Sequence, residues 1–236
     1  MSSNKILEEL SVILGNILSN DGQIRNESEK KIVIFLQDPN SSFLYLSETL
    51  NYSNNKYIRM LASILLKQQL SIELQKNPWN SLSQPIQEQV KSNIINSLSN
   101  ENELNNIKQI CNLITELMSV MSELKQKWIS LFQKVSEFIN SPGKQYIGLI
   151  LMDTLLNADP EPLLKEKEYI LKILEQALNV TEFSVIASKC LCTILCIIEN
   201  SYLKQFLPLL PNVFKTLKFV IENRNEKQVK IIRIDS

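Results

Sequence analysis

The stretch Ile58-Arg59-Met60-Leu61-Ala62-Ser63-Ile64-Leu65-Leu66-Lys67-Gln68-Gln69-Leu70 decides the fold class of this chain. Ile58, Leu61, Ala62, Leu65, Leu66 and Leu70 recur at the three- and four-residue spacing that puts side chains on one face of an α-helix. Arg59, Ser63 and Lys67 follow one another at i, i+4 and align on a polar face. Such a helix is held by burying its apolar stripe against another element, and its polar face is left to solvent or to a partner.

The same period recurs on both sides of this stretch, and no strand-like alternation interrupts it. It predicts helices near 4–19, 23–37, 41–52, 55–74, 84–99, 104–121, 124–140, 144–157, 162–179, 183–199 and 203–223, with a twelfth starting near Glu226. The last full stripe, Leu203, Phe206, Leu207, Leu210, Phe214, Leu217 and Ile221, is expected to pack on a neighbour as one continuous face. Pro39, Pro78, Pro85, Pro142, Pro160 and Pro162 fall in gaps or first turns, where a missing N–H costs little. Asparagine clusters at Asn51, Asn54 and Asn55 and again at Asn100, Asn102, Asn105 and Asn106 mark helix ends, because the Asn side chain bonds nearby backbone groups.

Composition points the same way. The 236 residues are 44% hydrophobic, with only 4 Gly and 8 Pro, and Leu and Ile dominate. That suits helices rather than a sandwich or barrel. The 25 basic and 25 acidic residues are interspersed and sum to zero, so no electrostatic footprint for nucleic acid or an anionic membrane is present. The N-terminal stretch carries Glu8 and Glu9 within its apolar run and lacks a cleavage signature, which argues against a secretory signal. Lys189 interrupts the longest apolar run, so no membrane span is expected. Cys111, Cys190, Cys192 and Cys196 lie in helical patterns at spacings unsuited to a disulfide framework, as reduced thiols of a cytosolic or nuclear protein.

Catalysis finds little support in this inventory. With no His, triads, imidazole bases and most zinc hydrolases are excluded. The four glycines, Gly15, Gly22, Gly143 and Gly148, are never grouped into a phosphate-binding loop. Four thiols without His, two of them at a spacing that points side chains apart on a helix, do not make a tetrahedral metal site. Glu161, Glu166 and Glu168 read as the acidic N-terminal face of a helix. The expectation is a protein that is not an enzyme and needs no cofactor or metal.

The helices fall into pairs whose second members begin near Gln23, Asn55, Leu104, Lys144, Phe183 and Glu226, a spacing around forty residues. Each pair buries its apolar face only by stacking on the next. The expected fold is therefore all-α: a right-handed α-solenoid of HEAT repeats, antiparallel helix pairs stacked into a superhelix. The closing Ile-Ile-Arg-Ile-Asp-Ser stops before a sixth second helix is complete, which reads as one N-terminal part of a longer protein.

Particular residues give this repeat a family likeness. Ile13-Leu14-Gly15-Asn16-Ile17-Leu18-Ser19, followed by Arg25 and Glu29, is similar to the first repeat of the importin-β (karyopherin-β) superfamily, with Ser28 in place of the usual small Ala. Arg59, Ala62, Leu65, Leu66 and Lys67 resemble that family's R-x-x-A-x-x-L-L-[KR] helix, with Trp79 downstream. Lys108, Ile110, Cys111, Asn112, Glu116 and Leu117 look like the K-x-V-C-D-x-x-x-E-L helix of the importin 5 (karyopherin β3) branch, and Phe206, Leu209, Leu210 and Pro211 resemble its F-x-x-L-L-P. Ile107 departs from the pattern, standing where Arg is usual.

The resemblance implies a nuclear transport receptor, shuttling between cytoplasm and nucleus, that binds the small GTPase Ran in its GTP form. In the full-length protein it implies protein cargo with nuclear localisation signals and Phe-Gly nucleoporins as further partners. It divides the single solenoid 1–236 into an importin-β N-terminal-like part, 1–121, and further HEAT repeats, 122–236. Ran docks in this family on second helices of the first repeats, so the resemblance singles out Glu29, Lys30, Arg59, Lys67, Gln68, Lys108 and Asn112. Two structural readings stand beside this one. Arg25 and Arg59 also suit inter-repeat polar ladders, and Lys30, Lys67, Gln68 and Lys108 also suit a solvated face. The alternative for the whole chain is a non-transport HEAT-repeat scaffold or adaptor. A monomer is expected, with self-association favoured only where apolar side chains are left uncovered.

Overall fold

A computed structural model of the chain describes residues 3–222, in which the chain divides at Trp128 and Ile129 into two compact units. The first unit holds α1 (Ser3–Ile17), α2 (Gly22–Phe35), α3 (Pro39–Tyr52), α4 (Lys56–Leu70), α5 (Gln84–Asn100) and α6 (Leu104–Glu123). Helix α2 packs on α1 and α4 on α3 as hairpin partners; α3 then lies along α5, and α4 along α6. In the second and third pairs the first helices thus form one layer and the second helices another, the packing of an all-α HEAT-repeat solenoid.

Local chemistry sets the helix starts. Asp21 accepts hydrogen bonds from the N–H groups of Gln23 (2.8 Å) and Ile24 (3.2 Å) at the head of α2. Asp38 caps α3 through Asn40 N–H, with Pro39 in the first turn, and Asn55 caps α4 through Tyr57 N–H. These contacts satisfy N–H groups that have no partner within their own helix. Buried hydroxyls are satisfied at home as well: Thr49 donates to the Tyr45 carbonyl, Ser63 to Met60 and Ser97 to Ile94.

The predicted helix 55–74 is shorter than its pattern. It ends at Leu70, and 3-10 turns at Leu74–Lys76 and Pro78–Ser81 carry the chain to α5. The buried Asn77 organises this crossing: its amide donates to the carbonyls of Leu70 (2.7 Å) and Ile72 (3.0 Å), and its oxygen accepts Trp79 N–H. Trp79 is thereby set, fully buried, edge-on against Phe43 with ring centroids 5.7 Å apart.

The second unit holds α7 (Ile129–Ile139), α8 (Gln145–Ala158), the single turn α9 (Glu161–Leu164), α10 (Lys167–Leu178), α11 (Thr181–Ile197), α12 (Asn200–Phe206) and α13 (Leu210–Glu222). Helix α8 packs between α7 and α11, and α11 between α8 and α10. Gly148 lets α8 approach the end of α7: a Cβ there would stand 2.9 Å from the Ile139 backbone nitrogen and 3.1 Å from Phe138 Cβ.

Three predicted helices differ here. The helix placed at 124–140 begins at Ile129, because Lys125 takes a left-handed φ of 56° and Gln126 N–H turns back to the Met121 carbonyl at 2.8 Å, closing α6. The helix at 162–179 is broken between Leu164 and Lys167. The helix at 203–223 becomes α12, a 3-10 turn at Leu207–Leu209 and α13, with Pro208 at the break. Each 3-10 residue turns the chain about 20° further than an α-helical one, so the sequence stripe is rotated off its line. The buried line is instead Phe206, Leu209, Val213 and Thr216, while Phe214, Leu217 and Ile221 are 65%, 49% and 62% exposed. The twelfth helix expected near Glu226 lies outside the described residues. Among the described helices none is long and apolar enough to cross a membrane.

Candidate functional site

The candidate surface is built by α4 and α6, which start together. Asn106, in the first turn of α6, donates to the carbonyl of Lys56 at the head of α4 (3.1 Å), and the Lys56 ammonium pairs with Glu103 (3.2 Å). The two helices therefore run in the same direction. Lys67 lies eleven residues into α4, Lys108 four residues into α6 and Asn112 eight. At ~1.5 Å per residue, Lys67 stands about 10 Å further along the layer than Lys108 and about one turn beyond Asn112.

Lys67 and Lys108 are half-buried, and Gln68 and Asn112 are exposed. Asn105, Asn112, Thr115, Ser119 and Ser122 are exposed on α6 as well, all polar and uncharged. Glu29 and Lys30 are exposed on α2, which packs on α1; Arg25 pairs with Glu29 one turn away in the same helix at 4.0 Å. Arg25 thus bridges within its helix, where an inter-repeat contact was the structural alternative. Ile107 is buried in α6.

Arg59 sits differently. Its side chain is only 19% exposed, and its fork grips the 2% exposed Glu101 carboxylate: Nε donates to Oε2 at 2.8 Å and Nη2 to Oε1 at 2.9 Å, while Nη1 donates to the Ser53 carbonyl at 2.9 Å. Glu101 also accepts from the N–H groups of Asn102 and Glu103 (both 3.0 Å) and from the Asn106 amide (2.9 Å). Burial alone would raise this carboxyl, but the Arg59 guanidinium, the Glu103 N–H, the Asn106 amide and the Asn102 N–H together hold it down to about 2. Arg59 thus makes a polar contact between repeats. Its acceptor, Glu101, stands 42 residues along the chain, beyond the reach of local sequence pattern.

A groove lies within the other unit. Ile129, Phe132, Val135, Pro162, Tyr169 and Ile173 line a groove of about 300 Å³ between α7 and the α9–α10 segment. Asn140 holds one rim by donating to the Tyr169 hydroxyl at 3.0 Å. The lining is apolar at its floor, with Gln133 and Glu166 at its edge.

Residues 28–100 match the sequence model of the importin-beta N-terminal domain, and residues 102–235, more than half the chain, match the family described as IPO5-like, TPR repeats. The chain belongs to the importin-β superfamily. It resembles the N-terminal region of these receptors, and the family is one of nuclear transport. Mouse importin-4 is 23% identical over 179 residues, covering 74% of this chain and 16% of importin-4. The crystal structure of Kap121p bound to RanGTP superposes with a TM-score of 0.71 at 15% identity, over 94% of this chain and 20% of that one. Kap121p bound to Pho4p gives 0.72 at 17% identity, over 95% and 22%. The chain therefore spans about a fifth or less of the relatives it matches. Its helix pairs begin at Ser3, Pro39, Gln84, Ile129 and Lys167, 36 to 45 residues apart and about 41 on average, a mean nearer the HEAT period than the 34 residues of a TPR unit.

Proposed function

We propose that this chain is the N-terminal segment of a nuclear import receptor and binds Ran in its GTP form through the exposed faces of α2, α4 and α6. What supports the reading is the pairing of α4 with α6, the helices that carry the half-buried Lys67 and Lys108 and the exposed Gln68 and Asn112, within the importin-beta N-terminal domain match and its continuation. Kap121p, similar in fold, binds RanGTP. Glu29 and Lys30, exposed on α2, are included as further candidates for the same partner. Arg59, gripped by Glu101, serves the surface by holding α4 and α6 in register rather than by offering a free fork. The role is binding without turnover, in a protein that passes between cytoplasm and nucleus.

In the full-length receptor the same reading brings protein cargo with nuclear localisation signals and Phe-Gly nucleoporins. Kap121p binds Pho4p, Ste12p and Nup53p. The groove over Phe132 and Ile173 is of a size and polarity to take one aromatic side chain, and it is the place assigned here to a Phe-Gly repeat.

Calorimetric titration of the chain with Ran carrying a non-hydrolysable GTP analogue, with Ran-GDP as control, tests the proposal. Binding restricted to the GTP form is expected. Equal or absent binding of the two forms, together with capture of a kinase or phosphatase subunit, would support the scaffold alternative instead.

A further inference from the structure

Helix α11 sorts its three thiols by environment. Cys190 faces α8 and is fully buried, its thiol donating to the Leu149 carbonyl at 3.6 Å. Burial first, and then the nearby Asp153 carboxylate, push this thiol well above its ordinary range, so it stays protonated and inert. Cys192 and Cys196 are free and exposed. Four residues apart within one regular helix, they stand a turn apart on the same face, with Cβ atoms about 5–6 Å from each other.

We propose that Cys192 and Cys196 form a two-coordinate site for a soft, thiophilic monovalent cation of the Cu(I) type. Three features of the pair lead there. Helical spacing exceeds the ~3.5–4.5 Å between Cβ atoms that a disulfide needs, so direct oxidation would open the last turn of α11. An ion between the sulfurs lengthens the link by two metal–sulfur bonds and closes the gap without unwinding the helix. Thiolates are soft ligands and select Cu(I) over the hard cations, which prefer oxygen.

Ligand number selects further. Among the described residues no group of three or more His, Cys, Asp or Glu side chains converges, so the tetrahedral coordination zinc prefers is not offered, whereas a linear arrangement asks only for two sulfurs. The reaction is a ligand exchange: each S–H bond gives its proton to solvent, two sulfur–metal bonds form, and no electron is transferred. The bis-thiolate complex carries one negative charge. Lys189, one turn before Cys192 and paired with Asp153 at 3.2 Å, is the cation nearest to it along the helix.

The test is an anaerobic titration of the 236-residue chain with Cu(I) in competition with a bicinchoninate indicator, in thiol-free buffer, with far-UV circular dichroism recorded on every protein. One ion per chain is expected, with affinity that rises with pH because two protons leave. Cys192→Ser and Cys196→Ser should each weaken binding at least tenfold while leaving the dichroism spectrum unchanged, since both side chains face solvent. The proposal is overturned if the folded wild-type chain withholds no Cu(I) from the indicator. It is equally overturned if either single variant, folded as wild type, binds with undiminished affinity.

Discussion

Arg59 and Glu101 meet fork to fork across the junction between the second and third helix pairs, with hydrogen bonds of 2.8 and 2.9 Å between a guanidinium 19% exposed and a carboxylate 2% exposed. Asn106 and two backbone N–H groups complete the shell around the acid. The pair joins α4 to the loop that starts α6, so the candidate binding face and its structural support share one network.

Acid should weaken this junction in a defined window. The Glu101 carboxyl is held at about 2 in the folded chain, below its ordinary value of 4.5, so its contribution is complete above pH about 4.5 and is lost as pH falls towards 2. Glu101→Gln should lower stability by about 2–3 kcal/mol at neutral pH and flatten the acid limb of the stability profile. Urea midpoints of both proteins between neutrality and pH 2 measure this; parallel profiles would refute it.

Gly148→Ala should cost about 1–3 kcal/mol, since the new methyl meets the Ile139 backbone and cannot be relieved by a rotamer change. A drop in Tm by circular dichroism is the readout, and an unchanged Tm would show that α7 and α8 separate without cost.

Trp79 offers a test of packing against polarity. Its ring is fully buried against Phe43 and its indole N–H has no hydrogen-bond partner. Trp79→Ala should cost ~3–5 kcal/mol through the cavity it leaves. Trp79→Phe keeps most of the apolar contact and removes the unpaired donor, so it should cost well under half as much. Chemical unfolding of the two variants compares them directly.

Ran-GTP binding should respond to Lys67→Glu and Lys108→Glu together by about tenfold or more, chiefly in the dissociation rate. Because the exposed side of α6 is mostly Asn, Thr and Ser, the remaining affinity should depend only weakly on salt. Surface plasmon resonance at two ionic strengths reads both, and undiminished binding of the double variant would move the site elsewhere.

The repeat architecture was legible because its evidence is local. Apolar spacing and capping residues such as Asn55 lie within a few positions of the helices they define, and the five second-helix starts that fall among the described residues agree with the structure to within about two residues. Helix interiors were harder. Periodicity carried the expected helix through Pro208 at full length, although one 3-10 turn there suffices to change which side of α13 is buried. The candidate face was legible in part: α4 and α6 carried recognisable motifs, whereas the partner of Arg59 lies 42 residues away and is set only by stacking.

The hydroxyls of Thr49, Ser63 and Ser97 turn inward to their own helices, so where they lie buried they impose no hydrogen-bond register on a neighbour. Greasy contact of that kind yields to a small sideways push. The Arg59–Glu101 clasp does not, because shearing it strands a charge. Mechanical compliance in the first unit is therefore uneven: the clasp ties α4 to the start of α6 and the buried Asn93–Ser47 hydrogen bond (3.0 Å) ties α5 to α3, so strain should be taken up at contacts that lack such ties.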